Sequence, residues 1–205
     1  MPEERLIPKY GGYRKLRSFQ AAQLIYDATV VFCDKFVDKF SRTRDQMVQA
    51  ARSGVQNIAE GSMASSTSRK TELKLTGVAK ASLEELLLDC EDFLRQRGLR
   101  QWDKDTPDAL AVRNRFRSGG ADQSDRSGGS DKLQAYGLRS AGAEVFANTL
   151  ICLINQASYL LRRQLQTLEE QFLREGGFTE RMYRSRAGWT GRSGRTGGTG
   201  QTGQT

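Results

Sequence analysis

Asn57 and Glu60 are the polar residues that could do chemistry in the small-residue helix pattern Gln46-Met-Val-Gln-Ala-Ala-Arg-Ser-Gly-Val-Gln-Asn-Ile-Ala-Glu-Gly61. Three positions apart, they share one side of a helix. One chemistry open to them is a hydrogen-bonding pair at a bundle or subunit interface, with Glu60 held by Arg52 or by an arginine of another chain. The other is general acid–base work by Glu60. The chain contains no histidine. That removes the usual general base, the Ser-His and Cys-His couples and the commonest zinc ligand. It also removes the Glu-x-x-His pairs of a di-iron bundle. Structural pairing is therefore favoured, and no catalytic residue, cofactor or metal is expected.

Three cysteines, Cys33, Cys90 and Cys152, lie far apart with no Cys-x-x-Cys. They read as reduced, buried, small apolar residues of a cytoplasmic protein. Glu84, Glu85, Asp89, Glu91 and Asp92 make one helix acidic. Spaced carboxylates can hold magnesium, but a solvated face, or one paired with basic helices, is the favoured reading.

The net charge is +8, which favours an anionic partner. Positive charge gathers in three places. Arg14, Lys15 and Arg17 precede or open the first helix. Arg113, Arg115 and Arg117 flank a short one. Arg162 and Arg163, then Arg174, Arg181, Arg184 and Arg186, mark the last helix and the tail. Tyr183 and Trp189 interleave with the last group. Guanidinium forks suit phosphates and aromatic faces stack on bases. The expected binding to RNA or DNA is backbone-driven, salt-sensitive and weakly selective. The competing readings are a solubilising tail, and a protein-interaction module whose basic ends dock an acidic partner.

The elements that must position these residues follow from periodicity. Phe19, Ala22, Tyr26, Thr29, Cys33, Phe36 and Phe40 step by three and four, predicting a helix over 18–40 with Ser18 as its N-cap. A second helix, 43–62, carries a stripe of Met47, Ala51, Gly54 and Ile58 with Ala50 alongside. Gly54 costs about 1 kcal/mol against alanine there, so a close helix neighbour is expected. Gly61 reads as a C-terminal cap. A third helix spans 69–97, capped by Ser68 and stopped by Gly98. Thr106-Pro107 opens a short helix, 107–116, within an insert spanning 98–140. The last helix covers 141–175. At about 50 Å it outruns the others, so its far end should protrude, bend or pack against another copy. That surplus and the small-residue stripe of the second helix predict self-association.

The predicted architecture is all-α: an antiparallel up-down four-helix bundle over 16–177. A short extra helix, a flexible Gly/Ser insert, an N-terminal arm (1–15) and a disordered Gly/Thr/Arg-rich tail (178–205) complete it. No apolar run approaches ~20 residues, so no membrane span is expected. The start of the chain does not read as a signal peptide, and the cytoplasm is the expected location.

Gln46, Ala50-Ala51, Ser53 and Asn57-Ile58-Ala59-Glu60-Gly61 resemble the signature of the small bacterial four-helix-bundle proteins of ribosomal-RNA intervening sequences. Ala79-Lys80-Ala81-Ser82-Leu83-Glu84-Glu85-Leu86 is similar to that family's second block. Arg97-Gly98-Leu99, Trp102-Asp103-Lys104, the helix from Ala147 to Gln156 and the stretch from Glu175 to Tyr183 resemble its longer suffix branch. The resemblance implies a homo-oligomeric bundle, typically a pentameric barrel with a basic surface. Its best understood members are the accessory variability proteins of diversity-generating retroelements. They bind a reverse transcriptase and nucleic acid and are not enzymes. For the suffix branch the family supplies no established activity.

Overall fold

The computed structural model describes residues 12–119 and 133–175, with Glu180, Met182, Tyr183 and Arg186 beyond them. The Gly/Ser insert, most of the N-terminal arm and nearly all of the tail lie outside the described residues. Those that are described form helices, turns and connectors, with no strand among them.

A single 3-10 turn, Tyr13–Lys15, leads into α1, Arg17–Phe36. The N-cap of α1 is Leu16, without a side-chain bond, and Ser18 is inside the helix. Its hydroxyl donates to Gln164 Oε1 at 2.8 Å, so the expected capping serine is instead a tie to the last helix. The helix also stops short of Phe40. Val37 is extended, Asp38 Oδ1 accepts the Phe40 amide at 2.7 Å, and the Phe40 side chain is 85% exposed. The local turn has overridden the apolar rhythm.

Ser41 caps α2, Arg42–Ala64, accepting from the Thr43 amide at 3.2 Å. Ser68 caps α3, Arg69–Gln96, accepting from Thr71 N at 3.1 Å. Past α3, Gly98 takes φ +62°, and the Leu99 amide donates back to Leu94 O at 2.9 Å. That is the left-handed stop for which glycine is suited. Thr106 Oγ1 accepts from Ala109 N at 3.4 Å and so caps α4, Pro107–Gly119. The last helix, α5, is Ala143–Glu175.

α1 packs on α2, α2 on α3, α3 on α5 and α5 on α1, while α4 lies against α5. One core fills the centre, including Ile25, Phe32, Met47, Leu83, Phe146 and Ile154. Phe32 meets Phe93 edge-on at 4.8 Å between ring centres and Phe146 at 5.5 Å. Each such side chain contributes about 1.5–3 kcal/mol by leaving water.

α2 meets α3 through its small residues. Ala50, Ala51, Gly54, Ile58 and Gly61 are buried. A Cβ on Gly54 would stand 2.8 Å from Leu83 Cδ2, and one on Gly61 would stand 3.4 Å from the Glu72 carbonyl oxygen. Gly61 therefore serves close approach, and α2 continues past it to Ala64 rather than being capped there. The stripe is used within the chain, which removes it as a basis for self-association. The surplus of α5 is also smaller than its length suggests. Leu168 is buried and Arg69 Nη1 donates to Gln171 Oε1, so the uncovered part is the last turn, where Leu173 is 78% exposed. Among the described residues no helix is long and apolar enough to cross a membrane.

Candidate nucleic-acid interface

The seat of α4 is set by one asparagine. Asn148, 1% exposed on α5, accepts the Trp102 amide at 2.7 Å and donates to Arg100 O at 2.8 Å and Glu144 O at 2.9 Å. Glu144 Oε2 accepts the Arg100 amide at 3.1 Å. The connector between α3 and α4 is thus held to α5 through its backbone. Ala109 and Val112 then bury the inner side of α4.

Beside that contact runs an open groove of about 520 Å³. Ala109, Arg113, Phe116 and Arg117 line it from α4. Cys152, Asn155, Gln156, Tyr159 and Leu160 line it from α5. Both sets recur at steps of three and four, so each helix offers one side. Arg17, at the start of α1, and Lys104, from the connector, close it. The described lining holds four cations and no carboxylate.

The cations are positioned without being neutralised. Arg113 Nη2 donates to the Lys104 carbonyl, and the Arg17 guanidinium stands 5.7 Å from the Phe116 ring centre. Among the described residues Arg17, Lys104, Arg113 and Arg117 form no ion pair, whereas Arg44 pairs with Asp34 at 2.5 Å and Arg95 with Asp92 at 2.6 Å. Two features complete the groove. The amide nitrogen and oxygen of Gln156 are buried, and among the described residues neither has a hydrogen-bond partner. Tyr159 is half exposed, with the Arg162 guanidinium 5.7 Å from its ring centre. Burial raises the Cys152 thiol pKa, opposed by the positive charge of Arg113.

The structure brings together Arg17, Arg113 and Arg117 of the expected basic residues, with Arg162 adjoining through Tyr159. Arg14 and Lys15 are exposed in the 3-10 turn, and Arg14 stacks on Tyr13. Arg115 leans on Tyr136, away from the groove. Arg163 and Arg174 are exposed on α5. Arg186 is exposed and already engaged in an interaction. Arg181 and Arg184 lie outside the described residues. Lys104, Phe116, Gln156 and Tyr159 join the site without having been singled out in the sequence.

The signature polar pair is divided. Asn57 donates to Ser53 O at 2.9 Å and to Ser53 Oγ at 3.1 Å, within its own helix, while Ser53 Oγ meets Ser82 Oγ of α3 at 2.9 Å. Glu60 and Arg52 are exposed and form no ion pair with each other. A second groove, of about 630 Å³, lies between α2 and α3 and is acidic, with Asp45, Glu85 and Asp89 against Arg42. Burial, then Glu85 and Asp92, raises the Asp89 pKa. Glu60 does not line it. Among the described residues no three Asp, Glu or Cys side chains gather as a metal-holding group.

Comparison of the chain with protein-family models, curated proteins and solved structures finds no match.

Proposed function

We propose that this protein is a non-enzymatic, self-associating cytoplasmic scaffold that holds nucleic acid on its basic side, as an accessory factor to a reverse transcriptase would. The observation that carries the reading is the convergence of Arg17, Lys104, Arg113 and Arg117 on one groove with no carboxylate in its described lining. Guanidinium groups that form no ion pair among the described residues, held beside an open surface, suit phosphate recognition. The finer architecture is an antiparallel up-down four-helix bundle of α1, α2, α3 and α5. It is supported by pairings of opposite ends: Ser18 with Gln164, Arg44 with Asp34, Gly61 with Thr76 and Arg69 with Gln171. A pentameric ring is the assembly implied by the family resemblance.

The test is a salt titration of oligonucleotide binding by the full chain. Four cations on a single strand give a slope of log affinity against log salt near −3, from about −0.7 per phosphate neutralised. Arg113→Glu with Arg117→Glu should weaken binding and flatten the slope by about 1.4. Absence of binding at low ionic strength, or binding indifferent to both substitutions, refutes the reading. The rival is a protein-interaction module with no direct nucleic-acid role. Retention of a co-purified partner after nuclease treatment, with no nucleic acid bound, would favour it.

A further inference from the structure

The groove between α4 and α5 holds more than charge. A phosphate alone needs guanidinium groups; it does not need a half-exposed tyrosine. An aromatic ring at a groove wall gives a base a surface to stack on. Tyr159 has Arg162 over one face, and a ring has a second. The volume of about 520 Å³ lies within the range of small-ligand sites.

We propose that this groove takes one unstacked nucleotide of a single strand, with its flanking phosphates on Arg113 and Arg117 and its base on Tyr159. The inference rests on the nucleic-acid reading and narrows it to single-stranded ligands. In a duplex the base faces are stacked and the pairing edges used, so neither can enter a cleft between two helices. Backbone contact with Arg113 and Arg117 remains open to both forms.

The test uses the full chain and fluorescence anisotropy with short labelled oligonucleotides. The arms are a single strand, its duplex, a mononucleotide competitor and a polyglutamate competitor. The single strand should bind at least tenfold more tightly than the duplex. Tyr159→Ala should weaken single-strand binding about fivefold to a hundredfold, the contribution of one stacked base, and leave duplex binding unchanged. A bound strand should slow alkylation of Cys152, which lines the same groove. A mononucleotide that competes as well as the oligonucleotide at equal nucleotide concentration would overturn strand recognition. So would polyglutamate competing as well as the strand. Equal affinity for strand and duplex, unmoved by Tyr159→Ala but lost in Arg113→Glu with Arg117→Glu, overturns this inference while the nucleic-acid reading survives. No binding of either form at low salt overturns both. Tyr159 is half exposed, so its truncation leaves the core intact, and an unchanged thermal transition verifies that.

Discussion

Alanine at two helix-interior glycines should have effects of opposite sign. Glycine inside a helix costs about 1 kcal/mol relative to alanine. At Gly77, in α3, nothing stands within 4 Å of an added Cβ. Gly77→Ala should therefore realise the whole gain, about 1 kcal/mol, or roughly 2–4 °C in melting temperature for a chain of this size. At Gly54 the same Cβ would be 2.8 Å from Leu83 Cδ2 and 3.0 Å from Leu83 Cγ. Leu83 is fully buried, so it has no solvent to move into. Overpacking of a core typically costs about 1–3 kcal/mol. Subtracting the propensity gain leaves Gly54→Ala destabilising by up to about 2 kcal/mol. Urea unfolding followed by helical circular dichroism, at one fixed protomer concentration, measures both. A double-mutant cycle with Leu83→Ala isolates the contact. The Leu83 truncation should cost about 1–3 kcal/mol less in the Gly54→Ala background than in the parent. Equal stabilisation by the two alanines, or zero coupling, would refute the account of the α2–α3 approach.

Asn148→Ala strips partners from the Trp102 amide and the Arg100 carbonyl. It should cost about 2–3 kcal/mol in chemical unfolding and weaken oligonucleotide binding by loosening the seat of α4 and Lys104. Glu72 is 8% exposed, its Oε2 has no partner, and burial raises its pKa against the opposing pull of Arg69. A raised carboxyl pKa gives stability that is fully present below the ordinary carboxylate value and lost as pH rises through the folded value. Glu72→Gln should therefore exceed the parent in melting temperature at pH 7, and the difference should vanish as the solution is acidified below the ordinary value. Cys33, pushed up to about 11 chiefly by burial, and Cys90, raised further, should resist alkylation in the folded chain at pH 8, while half-buried Cys152 reacts. Mass mapping of labelled peptides reads this directly.

The helices were legible because each has an apolar stripe that a core must cover, and the stop at Gly98 and the start at Thr106-Pro107 have local causes. The misplaced end of α1 has a local cause too. Phe36, Val37 and Phe40 prolong the rhythm, yet Asp38 turns the chain and Ser41 caps the next helix. Gly61 was ambiguous in sequence, since a cap and a close approach both select glycine; the Glu72 carbonyl across the interface decides between them. The basic residues were legible as types and not as a site. Arg17 and Arg113 meet because α4 is folded back onto α5, and the agent of that folding, Asn148, is a buried asparagine in an apolar run. That interruption is the signal that could have marked it. Gln156, two turns further along the same helix, carried the same signal.

The two grooves divide the roles that this chain can play. The small-residue stripe of α2 is spent on α3, so the proposed self-association has to use other surfaces. The acidic groove of α2 and α3 and the exposed Leu88 of α3 belong to helices on which α4 does not pack. The cationic groove is built from the start of α1, the connector, α4 and α5. On the proposed reading, strand binding uses the groove of one protomer. Assembly would multiply it by presenting several grooves to one strand, raising the effective concentration of each successive contact. Because like charges repel, an interface that brought two cationic grooves face to face would be disfavoured. An acidic surface of one copy set toward a basic surface of the next is favoured, and that head-to-tail contact is the kind that closes into rings.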